Sequence, residues 1–579
     1  MSDAQKSGLT TLGKVVVALF VLGLIGGGIM LTVGGAGLGT WLMPAGDDNQ
    51  MDKIDLDQAR ILEADDLVGI TTVKEYSYVP MERLPKVEGV SGYAWDENEK
   101  IVEFPINMWI GWLPIVAANH GFAPNEESIF YKEHGFKVNL KLLDDPVAAR
   151  DAYATGQSHI LWGTLDMMVL FAPELIKDSR TAPRIMQQID WSNGGDGIVV
   201  RDSIKSVKDL RGKTIVYAQN SPSQYYVNAL LINAGIQPSE VTHKYVASAF
   251  EAATAFVTDS SIDACASWAP DIYNIPDKVP GTKVLSTTAD ANKLIADVWA
   301  MRADFAKDHP EVAIGLVDGI FKGMEEAAKN PGPAAAWMAE GFGMPIEEVN
   351  SMMADAHATN FAENKQFFLN ANNPTNFERT WASISFVYRA LGLIDSPVRF
   401  DQVMDFSAIK ALDKKGTFKD QKDTYTTKFV PHSYTKVTAE QPILTQELRI
   451  NFFPNSCDLT EQGRDNFGNI VEGTLYDPMA EATVSRAGVM AGQFDAAVIA
   501  VSGHTDASMK GKVNFEAVQE LSHCRAEAVR DSLIKQYKFD GNKFVVKGEG
   551  WNRPADAADP NNHFKNRRVE IAVYPPEAE

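Results

Sequence analysis

The order of apolar and polar positions divides the chain into distinct stretches. Residues 1–14 are polar and carry Lys6 and Lys14, whereas residues 15–43 carry no charge at all. The apolar part of this second stretch exceeds the ~20 residues that span a bilayer as a helix, which predicts one transmembrane helix. Residues 44–100 read as a stalk or small add-on, with a helical candidate over 56–64 and extended pieces over 71–79. From 101 to 412, strand patterns alternate with helix patterns, the order that builds α/β architecture. Residues 413–440 are polar and weakly patterned, as in a linker. The last stretch, 441–579, opens on the strand-like Glu447-Leu448-Arg449-Ile450-Asn451-Phe452 and carries an amphipathic helix over 518–537.

The apolar run is long for a cleaved leader, and no small-x-small site precedes Asp47-Asp48, so an uncleaved anchor is expected. Lysines before it and acids after it put residues 1–14 in the cytoplasm and the bulk in the periplasm, as a single-pass inner-membrane protein. Glycines at Gly23, Gly26, Gly27, Gly28, Gly34, Gly35, Gly37 and Gly39 fill the span. They either let another helix approach closely, through a membrane-protein partner or self-association, or reflect the ordinary abundance of glycine in such spans.

At 579 residues the chain is too long for one core and calls for several domains. Its net charge of −22 disfavours nucleic acid and anionic lipid surfaces as partners. Three cysteines, Cys265, Cys457 and Cys524, are too few for a disulfide framework, and no Cys/His spacing suggests a metal. Cys457 and Cys524 can pair if their domain is periplasmic, but buried free thiols are the expectation.

Three short signatures lie near the C-terminus: Gly503-His504-Thr505-Asp506, Leu521-Ser522-His523-Cys524-Arg525-Ala526 and Asn566-Arg567-Arg568-Val569-Glu570-Ile571. In this order they resemble the OmpA C-terminal family of peptidoglycan-binding domains. The resemblance implies an α+β domain that binds the diaminopimelate of the stem peptide, with Asp506 accepting from the ammonium and the Arg525 fork donating to the carboxylate. Taken alone, Asp506 reads as a helix cap and Arg525 as one more surface cation. The chain departs from the family in a longer loop after Asp506, in Val518 where the family has asparagine, and in an insertion over 467–496.

In the α/β stretch, Ile110-Gly111-Trp112-Leu113-Pro114 comes first and Gly135-Phe136-Lys137-Val138-Asn139-Leu140 second. Val207-Lys208-Asp209-Leu210-Arg211-Gly212-Lys213-Thr214-Ile215 and Ile262-Asp263-Ala264-Cys265-Ala266-Ser267-Trp268 follow. The series is similar to the periplasmic substrate-binding proteins of the nitrate, sulfonate, taurine and thiamine-precursor group. The resemblance implies a two-lobed type II periplasmic-binding-protein fold that closes on its ligand by a hinge. The crossings are expected near 197–200 and 298–301, with the second lobe at about 201–297. Cleft candidates are the residues expected at strand ends and helix starts: Asn107, Trp109, Trp112, Trp162, Gly163, Thr164, Ser221, Ser223, Trp268 and Asp271. Each tryptophan alone is more often core than ligand wall. Asp190 and Asp271 can instead receive an amine, so an anionic and a zwitterionic ligand both stay open.

No Gly-x-Ser-x-Gly elbow, Walker loop or His-Glu-x-x-His is present, and the ten histidines are scattered. Neither an enzyme nor a cofactor is expected. The resemblances together imply an inner-membrane-anchored protein that binds a small solute and tethers to peptidoglycan. One alternative is the anchored binding component of an ABC importer. Another is a stator-like subunit of an ion-driven motor, against which stands the lack of Asp or Glu in residues 15–43.

Overall fold

The computed structural model describes residues 69–575. The anchor expected over 15–43 lies outside the described residues. Among the described residues, no helix is long and apolar enough to cross a membrane.

The first lobe begins with β1 (Ile101–Ile106) and β2 (Lys137–Leu142), a parallel pair, followed by β3 (Ile160–Thr164) and β4 (Pro183–Ser192). The chain then leaves for the second lobe. There β5 (Asp196–Arg201), β6 (Thr214–Ala218), β7 (Thr242–Val246), β8 (Ala264–Trp268) and β9 (Thr282–Thr287) form one sheet in the order β7-β6-β8-β5-β9. It returns through β10 (Ala296–Arg302), and with β11 (Ala356–Ala358) the first lobe completes a sheet ordered β11-β4-β10-β3. All seven residues of β10 are buried, as in a strand covered on both faces. The crossings therefore lie at residues 193–195 and 288–295. The positions expected for them, 197–200 and 298–301, are inside β5 and β10, because the apolar runs read as boundaries are strand cores.

Helix Pro310–Lys329 starts with proline at its first position and packs on helix Leu113–Asn119. A Cβ at Gly323 would stand 2.2 Å from the Pro114 carbonyl oxygen, so this approach needs glycine.

The stretch before β1 runs along both lobes. Thr72 bonds Asp271, Val79 N–H donates to the Tyr245 carbonyl at 2.9 Å, and Arg302 donates to Ser91 O at 2.9 Å.

In the C-terminal part, β12 (Leu444–Leu448), β15 (Val498–His504), β16 (Phe544–Gly550) and β17 (Arg568–Tyr574) form a sheet ordered β12-β17-β15-β16. Between β12 and β15 come a hairpin of β13 (Gln462–Arg464) and β14 (Ile470–Leu475) and then helix Ala480–Gln493. β14 and this helix lie within the insertion over 467–496, and Phe467 at the hairpin tip is 91% exposed. Helix Phe515–Tyr537 lies flat on the sheet. A Cβ at Gly503, the next-to-last residue of β15, would come within 1.8 Å of the Ser522 carbonyl oxygen, so the helix lies this close to the strand only over a glycine. Cys457 and Cys524 are disulfide-bonded, with Cα atoms 5.8 Å apart, whereas Cys265 is a buried thiol. The expectation of free thiols at 457 and 524 is thus corrected: the loop after β12 and this helix bring together residues 67 apart in sequence.

Residues 413–440 are a fitted strap instead of a free linker. Thr424 and Tyr425 N–H groups donate to Glu363 at 2.9 and 3.1 Å, and the Tyr425 ring stacks on His357 with centroids 3.8 Å apart. Its hydroxyl donates to Asn193 Oδ1 at 2.8 Å, on the first crossing. The C-terminal domain holds the second crossing. Lys293 pairs with Asp495 at 2.9 Å, Lys293 N–H donates to the Gln493 carbonyl, and Ala496 N–H donates to Asn292 Oδ1 at 3.0 Å.

Candidate functional site

Two sites carry chemistry. The first lies where the chain crosses between lobes. Trp109 reaches from the loop after β1, and its Nε1 donates to Asp190 Oδ2 at 3.2 Å. Two glycines make room for that indole. A Cβ on Gly111 would stand 1.7 Å from the same carboxylate oxygen, and one on Gly195 would stand 2.5 Å from the far edge of the ring. Asp190 on β4 lies directly across from Asp297 on β10. Asp196 opens β5 and accepts from Ser192 Oγ at 2.7 Å, while Asp166 accepts from Tyr388 at 2.9 Å.

These four carboxyls are buried, and the donors that reach them are neutral. Burial pushes Asp190 and Asp196 up to about 7 and Asp166 up to about 6. Asp297 is raised well above the ordinary range, by burial first and then by the charges of Asp190, Asp196 and Asp166. Part-buried Asp355, also raised to about 6, closes the group before β11. A cavity of about 680 Å³, lined among others by Gly111, Pro114, Met353, His357, Gln421 and Thr424, opens on the other side of Gly111.

The structure sorts the expected cleft residues. Trp109, at the crossing, is beside the carboxyls. Trp112 and Trp162 are core residues instead, because each indole N–H finds a partner inside: Asn107 Oδ1 at 2.7 Å for Trp112 and the Leu143 carbonyl at 3.0 Å for Trp162. That contact also occupies Asn107. Thr164 is buried at the end of β3, beside Asp166. Ser221 stands at the N-cap position of helix Pro222–Asn233 but makes no capping hydrogen bond, its hydroxyl donating to the Ala218 carbonyl, and Ser223 Oγ is buried without a partner. Trp268 ends β8 opposite Asp196 and meets Phe250 edge-on. Asp271 is taken by the Thr72 N–H and hydroxyl, at 3.0 and 2.7 Å, so the amine role considered for it is corrected. Sequence reasoning missed Asp196 and Asp297. The signal for Asp196 was present, since Asp190 and Asp196 flank the Gly194-Gly195 turn.

The second site is on the C-terminal domain. Asp506 follows β15, and its Oδ1 accepts from Ser508 N–H at 2.9 Å. Its Oδ2 pairs with Arg567, from the turn before β17, and not with Arg525. Arg525 lies beside both: it donates to the Ser456 carbonyl at 3.0 Å and sits 5.0 Å over the Phe452 ring. Burial lowers Arg525 to about 10, with Arg567 adding to the shift and Asp506 opposing it. Burial pushes Asp506 upward, but Ser508 and Arg567 together hold it below its ordinary value. Arg567 was the unrecognised member, although it stands in the Asn566-Arg567-Arg568 signature. A cavity of about 550 Å³ adjoins this site, lined by Ala507, Ser508, Lys510, Trp551, Asn552 and Pro560 among others. Elsewhere, Glu133, His134 and Asp318 converge as metal ligands do, but the Lys322 ammonium already pairs with both acids.

Residues 120–334 match the family described as NMT1/THI5 like, and residues 452–568 match the OmpA family. The taurine-binding periplasmic protein of Escherichia coli (strain K12) is 28% identical over 209 residues, which cover 35% of this chain and 62% of that protein. Outer membrane protein Omp38 of Acinetobacter baumannii (strain ATCC 17978) is 26% identical over 148 residues, 25% of this chain and 36% of that protein. The chain thus spans less than two thirds of either relative's length. Among solved structures, the periplasmic aliphatic sulphonate binding protein SsuA of Escherichia coli is similar at 16% identity and a TM-score of 0.40, covering 52% of this chain and 91% of that one. Along the chain, a match to the NMT1/THI5-like family is thus followed by a match to the OmpA family.

Proposed function

We propose that this is a cell-envelope protein that binds a small solute between its two lobes and grips peptidoglycan through its C-terminal domain, with residues 15–43 as an inner-membrane anchor. The observation that carries the reading is the meeting of Asp506 with Arg525 and Arg567 beside a cavity. A diaminopimelate centre bears an ammonium and a carboxylate. Asp506 suits the first, and the Arg525 guanidinium suits the second. In the unliganded site Arg567 stands in for the ammonium, so binding exchanges one cation for another at Asp506. One such contact is enough for tethering, since the wall repeats its stem peptides and an anchored protein searches a confined volume.

Purified sacculi sedimented with the parent chain, Asp506→Ala and Arg525→Ala test this. The parent should pellet with the sacculi and both variants should stay in solution; equal pelleting of all three, with folding confirmed, would overturn the wall-binding assignment. The match to a taurine-binding periplasmic protein supports a second reading for the two-lobed domain, as the anchored binding component of an ABC importer. Mass spectrometry of small molecules released from the purified chain tests whether a solute is held at all.

A further inference from the structure

We infer that the ligand of the two-lobed cleft presents an ammonium group to Asp190 and Asp297, so that a positive charge, and not an anion, is what the site selects. The inference rests on the solute-binding reading and names the class of ligand.

Its starting point is an unbalanced group of acceptors. Asp190 and Asp297 face each other on neighbouring strands. Asp190 Oδ2 takes the Trp109 N–H, while Oδ1 is fully buried with no donor. Beside it, Gln188 uses its Nε2 to reach the Asp190 backbone carbonyl, which leaves Gln188 Oε1 as a second buried acceptor without a donor. Ser192 and Tyr388 supply the neutral donors to Asp196 and Asp166, and the charges acting on Asp190 and Asp297 are those of further carboxyls.

Buried charges are paired or neutralised, because an uncompensated carboxylate in the interior is very costly. Without a cation the pair must share protons. A ligand ammonium would supply several N–H donors and one positive charge in place of the hydrogen bond that Asp190 and Asp297 otherwise make with each other. An anionic head between Asp190 and Asp297 would add like charge to like. Trp109 meets Asp190 through its indole N–H, and the glycines at 111 and 195 leave the room that this indole and carboxylate fill.

The test uses the purified full chain with three probes of similar size at pH 7.5: propylammonium, propanesulfonate and taurine. Thermal melting and tryptophan fluorescence give the readouts. Propylammonium and taurine should each raise the melting temperature by several degrees, and propanesulfonate should leave it unchanged. Asp190→Asn and Asp297→Asn should melt above the unliganded parent, having lost the carboxyl repulsion, and should lose the ammonium-induced shift. A merely structural role predicts lower melting in both variants. Stabilisation by propanesulfonate alone would overturn the ammonium assignment while leaving solute binding in place. So would an ammonium shift that survives in both variants. No shift with any probe would overturn the assignment, and an absence of released solute would then remove the solute-binding reading as well.

Discussion

The two sites of this chain are both built on a buried aspartate, and they hold it in opposite states. At Asp506 a guanidinium is paired to the carboxylate and a second lies close by, so the charge is kept. At Asp190 the nearest ionisable neighbours are other carboxyls, and burial pushes its titration up towards neutral pH instead. Burial acts in the same direction at both, and the presence of fixed cations decides the outcome. On the proposed reading, the C-terminal site therefore has its charges in place before a ligand arrives, whereas the acids at the crossing have no cation of their own beside them.

The largest expected effect tests how far the C-terminal site depends on its frame. Cys524 is next to Arg525, and its partner Cys457 follows Ser456, whose carbonyl accepts from Arg525. Reducing the bond, or replacing both cysteines by serine, should lower the stability of that domain by about 2–5 kcal/mol. The measurement is urea unfolding of the full chain; no change in the C-terminal transition would mean that the frame is held by other contacts. Next, removing Asp506 or Arg525 should weaken wall binding by roughly 10- to 100-fold, from charge-assisted hydrogen bonds of about 1.5–3 kcal/mol, read from sacculus binding isotherms.

The third prediction separates the sites by pH. Carboxyls raised in the fold bind protons that the unfolded chain has already released, so their stability contribution is greatest in acid and falls as pH rises. One group raised to about 7, as Asp190 and Asp196 are, should lose about 2 kcal/mol between roughly pH 5.5 and 8. Asp506 is held low, so its contribution is present above the usual carboxylate range and fades as pH drops. Melting curves across this range for the parent, Asp190→Asn and Asp506→Asn should show the first variant flattening the alkaline fall. A parent curve without that fall would erase the contrast. The smallest effect is expected at the strap, where Tyr425→Phe removes one hydrogen bond to Asn193, worth about 0.5–1.5 kcal/mol.

What could be read from the sequence was what is local in it. The strand, glycine and acid of residues 498–506 make one continuous turn, so Asp506 was legible, as was Arg525 on the helix that Gly503 lets lie close. Arg567 pairs with Asp506 across 61 residues, and its role needed the fold. The same holds for Asp190 and Asp297, whose pairing depends on a strand register between segments 107 residues apart. Trp112 and Trp162 misled because an indole at a strand end looks alike whether its N–H meets a ligand or a carbonyl. Residues 413–440 read as a loose connection because they are polar, yet their backbone donors are met by Glu363, a partner about 60 residues earlier.

The grips on the two crossings give the C-terminal domain a particular mechanical position. Asn193 is bonded by Tyr425, and Asn292 and Lys293 by residues 493–496. These residues lie on the two segments that join one lobe to the other. If the lobes close about these segments, as the solute-binding reading requires, a pull on the C-terminal domain would enter the two-lobed domain at its axle, through a short lever arm. On that reading the torque would run both ways: whatever closes the lobes would also tug on the proposed wall-binding domain, and by reciprocity tension there would change how tightly the cleft closes.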